Sequence, residues 1–138
     1  MTCPFCEIAA GRVAAEIVWR NESALAFLDH RPLFPGHVLL IPIEHWATLA
    51  DVPPAFVGSL FEAAQHLERA VEAAMEAEGS FVAINNRVSQ SVPHLHVHIV
   101  PRGKGDGLKG FFWPRRQYES EAHLRETGDK IRRALNNE

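Results

Sequence analysis

Three histidines occupy every second position in His94-Leu95-His96-Val97-His98. Side chains of an extended strand alternate between faces. The spacing therefore predicts that His94, His96 and His98 share one face while Leu95, Val97 and Ile99 enter a core. A plain polar edge would be served as well by Thr, Lys or Glu. Imidazole instead titrates near neutral pH and offers nitrogen as nucleophile or metal ligand. A zinc ion would need each nitrogen ~2.1 Å away, and His94 and His98 are separated by about 13 Å of strand, so the row does not readily converge on one ion. A tri-histidine metalloprotein is the weaker reading. In covalent catalysis the central imidazole attacks an electrophile and its neighbours hydrogen-bond the charge that develops. Asn85, Gln90 and Ser91 precede the row and Arg102 follows it, a mixture of neutral donors and one cation that suits a phosphoryl oxygen. Covalent chemistry at phosphorus fits best, with His96 as nucleophile and its second ring nitrogen donating to a backbone carbonyl.

A second constellation is Cys3-Pro4-Phe5-Cys6, the only two cysteines of the chain. The C-x-x-C spacing reads as a redox motif or as half of a metal site. A redox pair of this type follows a strand and opens a helix that lowers the thiol pKa. Only two residues precede Cys3, so that context is not expected. Gly105 to Gly110 fits G-x-G-x-x-G, but a dinucleotide fold needs a helix to begin there within a βαβ unit. Phe111-Phe112-Trp113-Pro114 follows instead, so the match is set aside. The glycines are expected to form a loop beside the active site, with Lys104, Lys109, Arg115 and Arg116 in reach of a polyphosphate tail.

The elements that must position these groups are legible in outline. Residues 4–10 suit a short helix stopped by Gly11. Strands are expected over 16–19 and 24–28, joined by a turn at Arg20-Asn21-Glu22. His37 to Ile43 is dense in β-branched and apolar residues and reads as a buried strand. From about Pro53 to Ala77, Val57, Leu60, Phe61, Ala64, Leu67, Val71, Ala74 and Met75 recur at helical steps, with Asp51 able to cap the start and Gly79 the end. Strands over 81–85 and 94–100 and a last helix over about 119–135, carrying Leu124, Ile131 and Leu135 on one side, complete the set. Strands on short connections with two segregated helices argue an α+β fold with a mainly antiparallel sheet. His30, His66 and His123 read as surface histidines.

At 138 residues the chain has the length of one domain, and 46% hydrophobic with 22% charged residues is ordinary for a globular protein. The net charge of −3 gives no global attraction for nucleic acid. Residues 87–116 hold six basic residues and one acid, a local +5 that leaves −8 elsewhere. A basic patch on an acidic protein suits a small anionic ligand. No apolar run approaches the ~20 residues that cross a bilayer, and Met1-Thr2-Cys3-Pro4 lacks the features of a signal peptide, so a cytoplasmic address without membrane association is expected.

The run His94-Leu95-His96-Val97-His98-Ile99-Val100 resembles the signature of the histidine triad (HIT) family of nucleotide hydrolases and transferases. Ala26-Phe27-Leu28-Asp29, Pro35-Gly36-His37-Val38-Leu39-Leu40-Ile41-Pro42 and Gln90-Ser91-Val92-Pro93 fall at that family's expected places. Pro101-Arg102 and Gly105-Asp106 look more like the fragile histidine triad, dinucleoside polyphosphate hydrolase branch than the phosphoramidase branch. The resemblance implies a five-stranded antiparallel sheet with one long central helix and a C-terminal helix, paired into a homodimer whose sheets join. It implies that His96 attacks the α-phosphorus and that His98 contacts the non-bridging oxygens, with His94 completing the catalytic row. Asn85, Gln90 and Ser91 match phosphate-side contacts, Asp29 the ribose contact, His37 a supporting histidine, and Phe5, Ile8 and Phe27 an apolar base pocket. Some members carry an N-terminal Cys-x-x-Cys that joins two histidines around a structural zinc; Cys3, Cys6, His45 and His94 match that set. No metal is expected at phosphorus. The implied activity is hydrolysis of an adenosine nucleotide, with dinucleoside polyphosphates favoured, and with nucleoside phosphoramidates or a binding module with incidental hydrolysis as the alternatives.

Overall fold

The structure, a computed structural model, describes residues 2–108 and 115–137. The chain divides into two compact units, Met1–Asp106 and Gly107–Glu138. In the first, helix α1 (Pro4–Ala9) is followed by strands β1 (Ile17–Arg20), β2 (Ala24–Leu28) and β3 (Val38–Pro42). A short 3-10 turn (Leu49–Asp51) leads into helix α2 (Pro54–Ala74), and β4 (Gly79–Ile84) and β5 (Val97–Arg102) close the sheet. The sheet is antiparallel throughout, in the order β1-β2-β3-β5-β4, so the α+β architecture with a five-stranded sheet is the one observed.

The two faces of this sheet have separate tasks. On one, Ala24, Ala26, Val38, Leu40, Val97 and Ile99 pack with Leu95 against Leu60, Ala63, Ala64, Leu67 and Val71 of α2. On the other, Leu25, Phe27, Leu39 and Ile41 pack against Phe5 and Ala9 of α1. β2 and β3 are buried on both faces, which is why their sequences read as continuous apolar runs rather than alternating ones. Removing a fully buried Leu or Ile side chain from water contributes about 1.5–3 kcal/mol. The central strands therefore hold the site side of the sheet rigid.

Several local expectations are corrected. β5 begins at Val97, three residues later than predicted: His94 lies in a bend, where its N–H bonds the Val92 carbonyl at 2.8 Å, and Leu95 N–H bonds the Trp46 carbonyl at 2.7 Å. These loop partners replace the ladder, yet the alternation of faces survives. Asp51 does not cap α2. Its Oδ2 accepts from Thr48 N–H (3.0 Å) and Thr48 Oγ1 (2.8 Å), closing the preceding 3-10 turn, and α2 starts from Pro53 with no side-chain cap. Nor does Gly79 end α2, which stops at Ala74; Gly79 opens β4. Phe61 and Met75 are exposed, and Ala63 takes a place in the buried stripe. The turn after β1 forms as expected, with Asn21 Oδ1 accepting from Ser23 and Ala24 N–H (2.9 and 2.7 Å).

In the second unit, helix α3 (Glu121–Asn136) is capped by Ser120, whose Oγ accepts from His123 N–H at 3.0 Å. Leu124, Ile131 and Leu135 are all exposed. Lys109 and the Phe111–Pro114 run lie outside the described residues. No described helix is long and apolar enough to cross a membrane.

Candidate active site

Loop geometry fixes the protonation pattern of the histidines. His96 Nδ1 lies 2.8 Å from the His94 carbonyl. A carbonyl only accepts, so Nδ1 carries the hydrogen and Nε2 keeps its lone pair. This is the tautomer a nucleophile requires. His96 is 3% exposed, but it faces a cavity rather than the α2 core.

The neighbouring pair is fixed by a longer chain of bonds. Leu33 N–H donates to His37 Nδ1 at 3.1 Å, so the hydrogen of His37 resides on Nε2. That Nε2 lies 3.0 Å from His98 Nδ1 and donates to it. The hydrogen of His98 is thereby placed on Nε2, and His98 Nε2 is the one buried side-chain nitrogen or oxygen without a partner among the described residues. A buried donor without a partner costs free energy, and at the wall of a cavity it is suited to receive an anionic oxygen. Burial pushes the His98 pKa down to about 4, assisted by His96 and His37 and opposed by Asp29. Burial likewise lowers His37, again opposed by Asp29. Both rings are neutral at neutral pH, as the relay of tautomers demands. Asp29 Oδ1 accepts from Arg31 N–H at 2.9 Å; its Oδ2 lies 3.8 Å from His37 Nδ1, beyond hydrogen-bond reach.

The cavity has a volume of about 700 Å³. Of the residues singled out from sequence, Phe5, Ile8, Phe27, Asp29, Ser91, His96 and His98 line it. Phe5 stands edge-on to His96 (ring centroids 5.1 Å) and to Phe27 (5.4 Å), making an apolar pocket beside His96. His37 is buried behind His98 rather than in the wall. Gln90 ties its own loop to the chain after β3: Nε2 donates to the Ala47 carbonyl (2.6 Å) and Oε1 accepts from Arg87 N–H (2.9 Å). Neither Gln90 nor Asn85 lines the cavity. Arg102 is turned to Asp106 in a two-pronged ion pair (2.6 and 2.9 Å) and does not line it either. Sequence reasoning missed Glu16 and His30, which also line the wall, as do Val13, Ala14 and Ala15. Only the adjacency of His30 to Asp29 could have pointed there.

His94 is separated from its two companions. Its Nε2 donates to the Pro42 carbonyl at 2.8 Å, so its Nδ1 presents a lone pair. That lone pair lies 3.4 Å from Cys3 Sγ, 3.5 Å from Cys6 Sγ and 3.2 Å from His45 Nδ1, and Cys6 Sγ lies 3.4 Å from His45 Nδ1. All four ligand atoms lie within 4.8 Å of one another. Tetrahedral zinc with bonds of about 2.0–2.3 Å places its ligand atoms about 3.3–3.8 Å apart, so the cluster fits a structural zinc. The chemistry of the donors agrees. The Cys6 thiol is pushed up by burial and by its neighbour Cys3, and His94 is pushed down by burial; a cation in their midst would favour the thiolate and the neutral imidazole that it needs. When bound, such an ion would supply cross-linking of the segments that hold its ligands.

The chain is similar to several known proteins. An uncharacterised HIT-like protein of Mycobacterium tuberculosis is 36% identical, over 98% of this chain and 94% of its own. The asymmetrical bis(5'-nucleosyl)-tetraphosphatase of Schizosaccharomyces pombe is 35% identical over 68% of this chain and 53% of its own, and an adenosine 5'-monophosphoramidase of Candida albicans is 31% identical over 82% and 78%. Among solved structures, a HIT family member from Bacillus subtilis superposes with a TM-score of 0.87 at 32% identity, covering 96% of both chains. A zinc-bound histidine triad family protein from Mycobacterium smegmatis gives 0.74 at 34% identity, over 100% of this chain and 99% of that one. The model of the HIT domain matches residues 10–105, a span that holds His96, the relay behind His98 and every part of the cavity wall except the share of α1; this chain belongs to the HIT domain family.

Proposed function

We propose that this protein is a nucleotide hydrolase or transferase that cleaves at the α-phosphorus of an adenosine nucleotide through a nucleotidyl-His96 intermediate. The observation that carries the reading is the His96 tautomer: Nδ1–H is held by the His94 carbonyl, leaving Nε2 free toward a cavity of nucleotide size. As Nε2 bonds to phosphorus, the bond from phosphorus to the leaving group breaks. The positive charge that develops on the ring is stabilised through Nδ1–H at the carbonyl. The Nε2–H of His98 donates to a non-bridging oxygen, where negative charge accumulates. Water then attacks phosphorus and the P–N bond breaks, which restores His96. Asp29 accepts from ribose hydroxyls, and Phe5, Ile8 and Phe27 enclose the base.

Dinucleoside polyphosphates are the favoured substrate class, supported by the likeness to a protein named as an asymmetrical tetraphosphatase. A second reading, nucleoside phosphoramidates, is favoured by one observation: among the described residues no Lys or Arg lines the cavity, so a phosphate leaving group finds no cation there. Chromatography of the products decides. Attack at the α-phosphorus of diadenosine tetraphosphate must give AMP and ATP, and rapid turnover of an AMP amidate with inert tetraphosphate would replace the first reading by the second. Turnover of neither would refute the proposal.

The same reading includes a structural zinc on Cys3, Cys6, His45 and His94, and a homodimer joined along β4. The exposed Val82 on β4 and Phe61 on α2 border a shallow cleft with Ser80 and Glu68, and β4 is an edge strand open to pairing. Zinc near one ion per chain, lost in Cys3→Ser, and a dimer mass in light scattering are the expected results.

A further inference from the structure

We infer that the Cys3, Cys6, His45 and His94 cluster is a positioning device for the nucleophile and for one wall of the cavity, so that zinc loading and nucleotide binding reinforce each other. This rests on the reading of His96 as nucleophile. His94 belongs to both systems. Its ring enters the cluster through Nδ1, while its own carbonyl, two residues from His96, accepts the Nδ1–H that defines the reactive tautomer. Whatever fixes the backbone at His94 therefore fixes which nitrogen of His96 is free.

The second link is α1. A helix of six residues is far shorter than the ~12–15 that hold together unaided in water. It is held by Phe5 and Ala9 in the core and by Cys3 and Cys6 in the cluster. Cys3 Sγ also caps it, accepting from Cys6 N–H at 3.4 Å. The same helix gives the cavity Phe5 and Ile8, and the Phe5 ring lies 5.1 Å from His96 and 5.9 Å from His94. The four ligands thus come from three segments: the start of α1, the chain after β3, and the chain before β5. An ion shared by them clamps the wall against the nucleophile without touching the reacting atoms. By linkage, a zinc ion that favours the assembled wall raises nucleotide affinity, and nucleotide raises zinc affinity by the same factor.

The test uses the full chain and the variant His45→Ala. His45 is exposed and outside the cavity wall, so its removal opens the cluster without carving the core. AMP affinity by calorimetry, the side-chain 15N spectrum of His96 and the far-ultraviolet dichroism of the sheet are measured with zinc loaded and after chelation. Zinc-loaded wild-type protein should show His96 protonated at Nδ1. Chelation, or His45→Ala, should mix the tautomers and weaken AMP binding about tenfold or more, as expected for loss of one aromatic wall, while the sheet signal persists. AMP should slow zinc release in the wild type. An unchanged His96 spectrum and AMP affinity after zinc removal would overturn the inference. So would global loss of the sheet, because the device is local, and so would failure of the wild-type protein to bind zinc. If the loaded wild type binds no AMP, the nucleotide reading fails instead, and the His96 spectrum still tests the link by itself.

Discussion

Replacing His98 by alanine separates a catalytic donor from a packing residue. His98 Nε2 has no hydrogen-bond partner among the described residues, so truncation breaks no bond with them at that atom. It does leave His37 Nε2–H, 3.0 Å from His98 Nδ1, without an acceptor. An orphaned buried donor costs about 1–3 kcal/mol, which at about 4 °C per kcal/mol for a domain of this size lowers Tm by about 4–12 °C. The effect on turnover is of a different order. Removing one donor aimed at a developing oxyanion costs about 10²–10³ in kcat. Rapid quench with a saturating dinucleoside polyphosphate should show formation of the His96 adduct slowed by that factor, while AMP affinity falls less than about tenfold. His98→Asn, which keeps an N–H donor on a shorter side chain, should recover part of the rate. If His98→Ala loses Tm as calculated yet retains kcat within about threefold, the donor relay from Leu33 through His37 to His98 has no catalytic role.

The depressed pKa of His98 also makes stability depend on pH. The folded value of about 4 lies below the ordinary imidazole value of 6.5, so between these limits the unfolded chain binds a proton that the folded one refuses. Stability is fully present above pH 6.5 and declines as pH falls towards 4, at up to 1.36 kcal/mol per pH unit, or about 3 kcal/mol between pH 7 and 4; His37 shifts in the same direction. Urea melts from pH 7 to 4 should show this slope, with less of it in His98→Asn, and equal slopes in both would contradict it. Gly36 has φ of +97°, and a Cβ there would lie 2.6 Å from Met75 Cγ. Gly36→Ala should cost about 1–2 kcal/mol for the left-handed backbone alone, and Met75→Ala in the same chain should relieve only the collision; melts of the single and double variants check this. Arg102→Ala should leave turnover within about twofold, since Arg102 is paired with Asp106 and outside the cavity wall; a tenfold loss would show that it reaches substrate.

The course of the sheet was legible because burial imposes a pattern. β2 and β3 are covered on both faces and read as apolar runs, and the histidine row kept its alternation of faces even where the ladder had not begun. Helix ends were less legible. Asp51 has the right identity and spacing to cap α2, but Thr48 lies nearer and takes its carboxylate. Gln90 has the chemistry of a phosphate contact, yet one end of its amide is spent on Arg87 in its own loop and the other on the Ala47 carbonyl after β3. Arg102 is likewise spent on Asp106. Composition supplies the donors; only the fold assigns their partners. Glu16 and His30 were invisible for another reason: they line the cavity from outside every motif the sequence offers, and only the adjacency of His30 to Asp29 gives a local pointer. The divided duties of His94, side chain in one cluster and carbonyl at another residue, follow from the bend at that position and not from its place in the row.

The central claim is that His96 Nε2 bonds to phosphorus. Enzyme mixed with a dinucleoside polyphosphate, quenched within one turnover and digested, should carry an acid-labile adenylyl group on the peptide that contains His96 by mass spectrometry. The His96→Ala protein should bind AMP and yield no such group. An adduct on another residue, or full turnover by His96→Ala, would contradict the account.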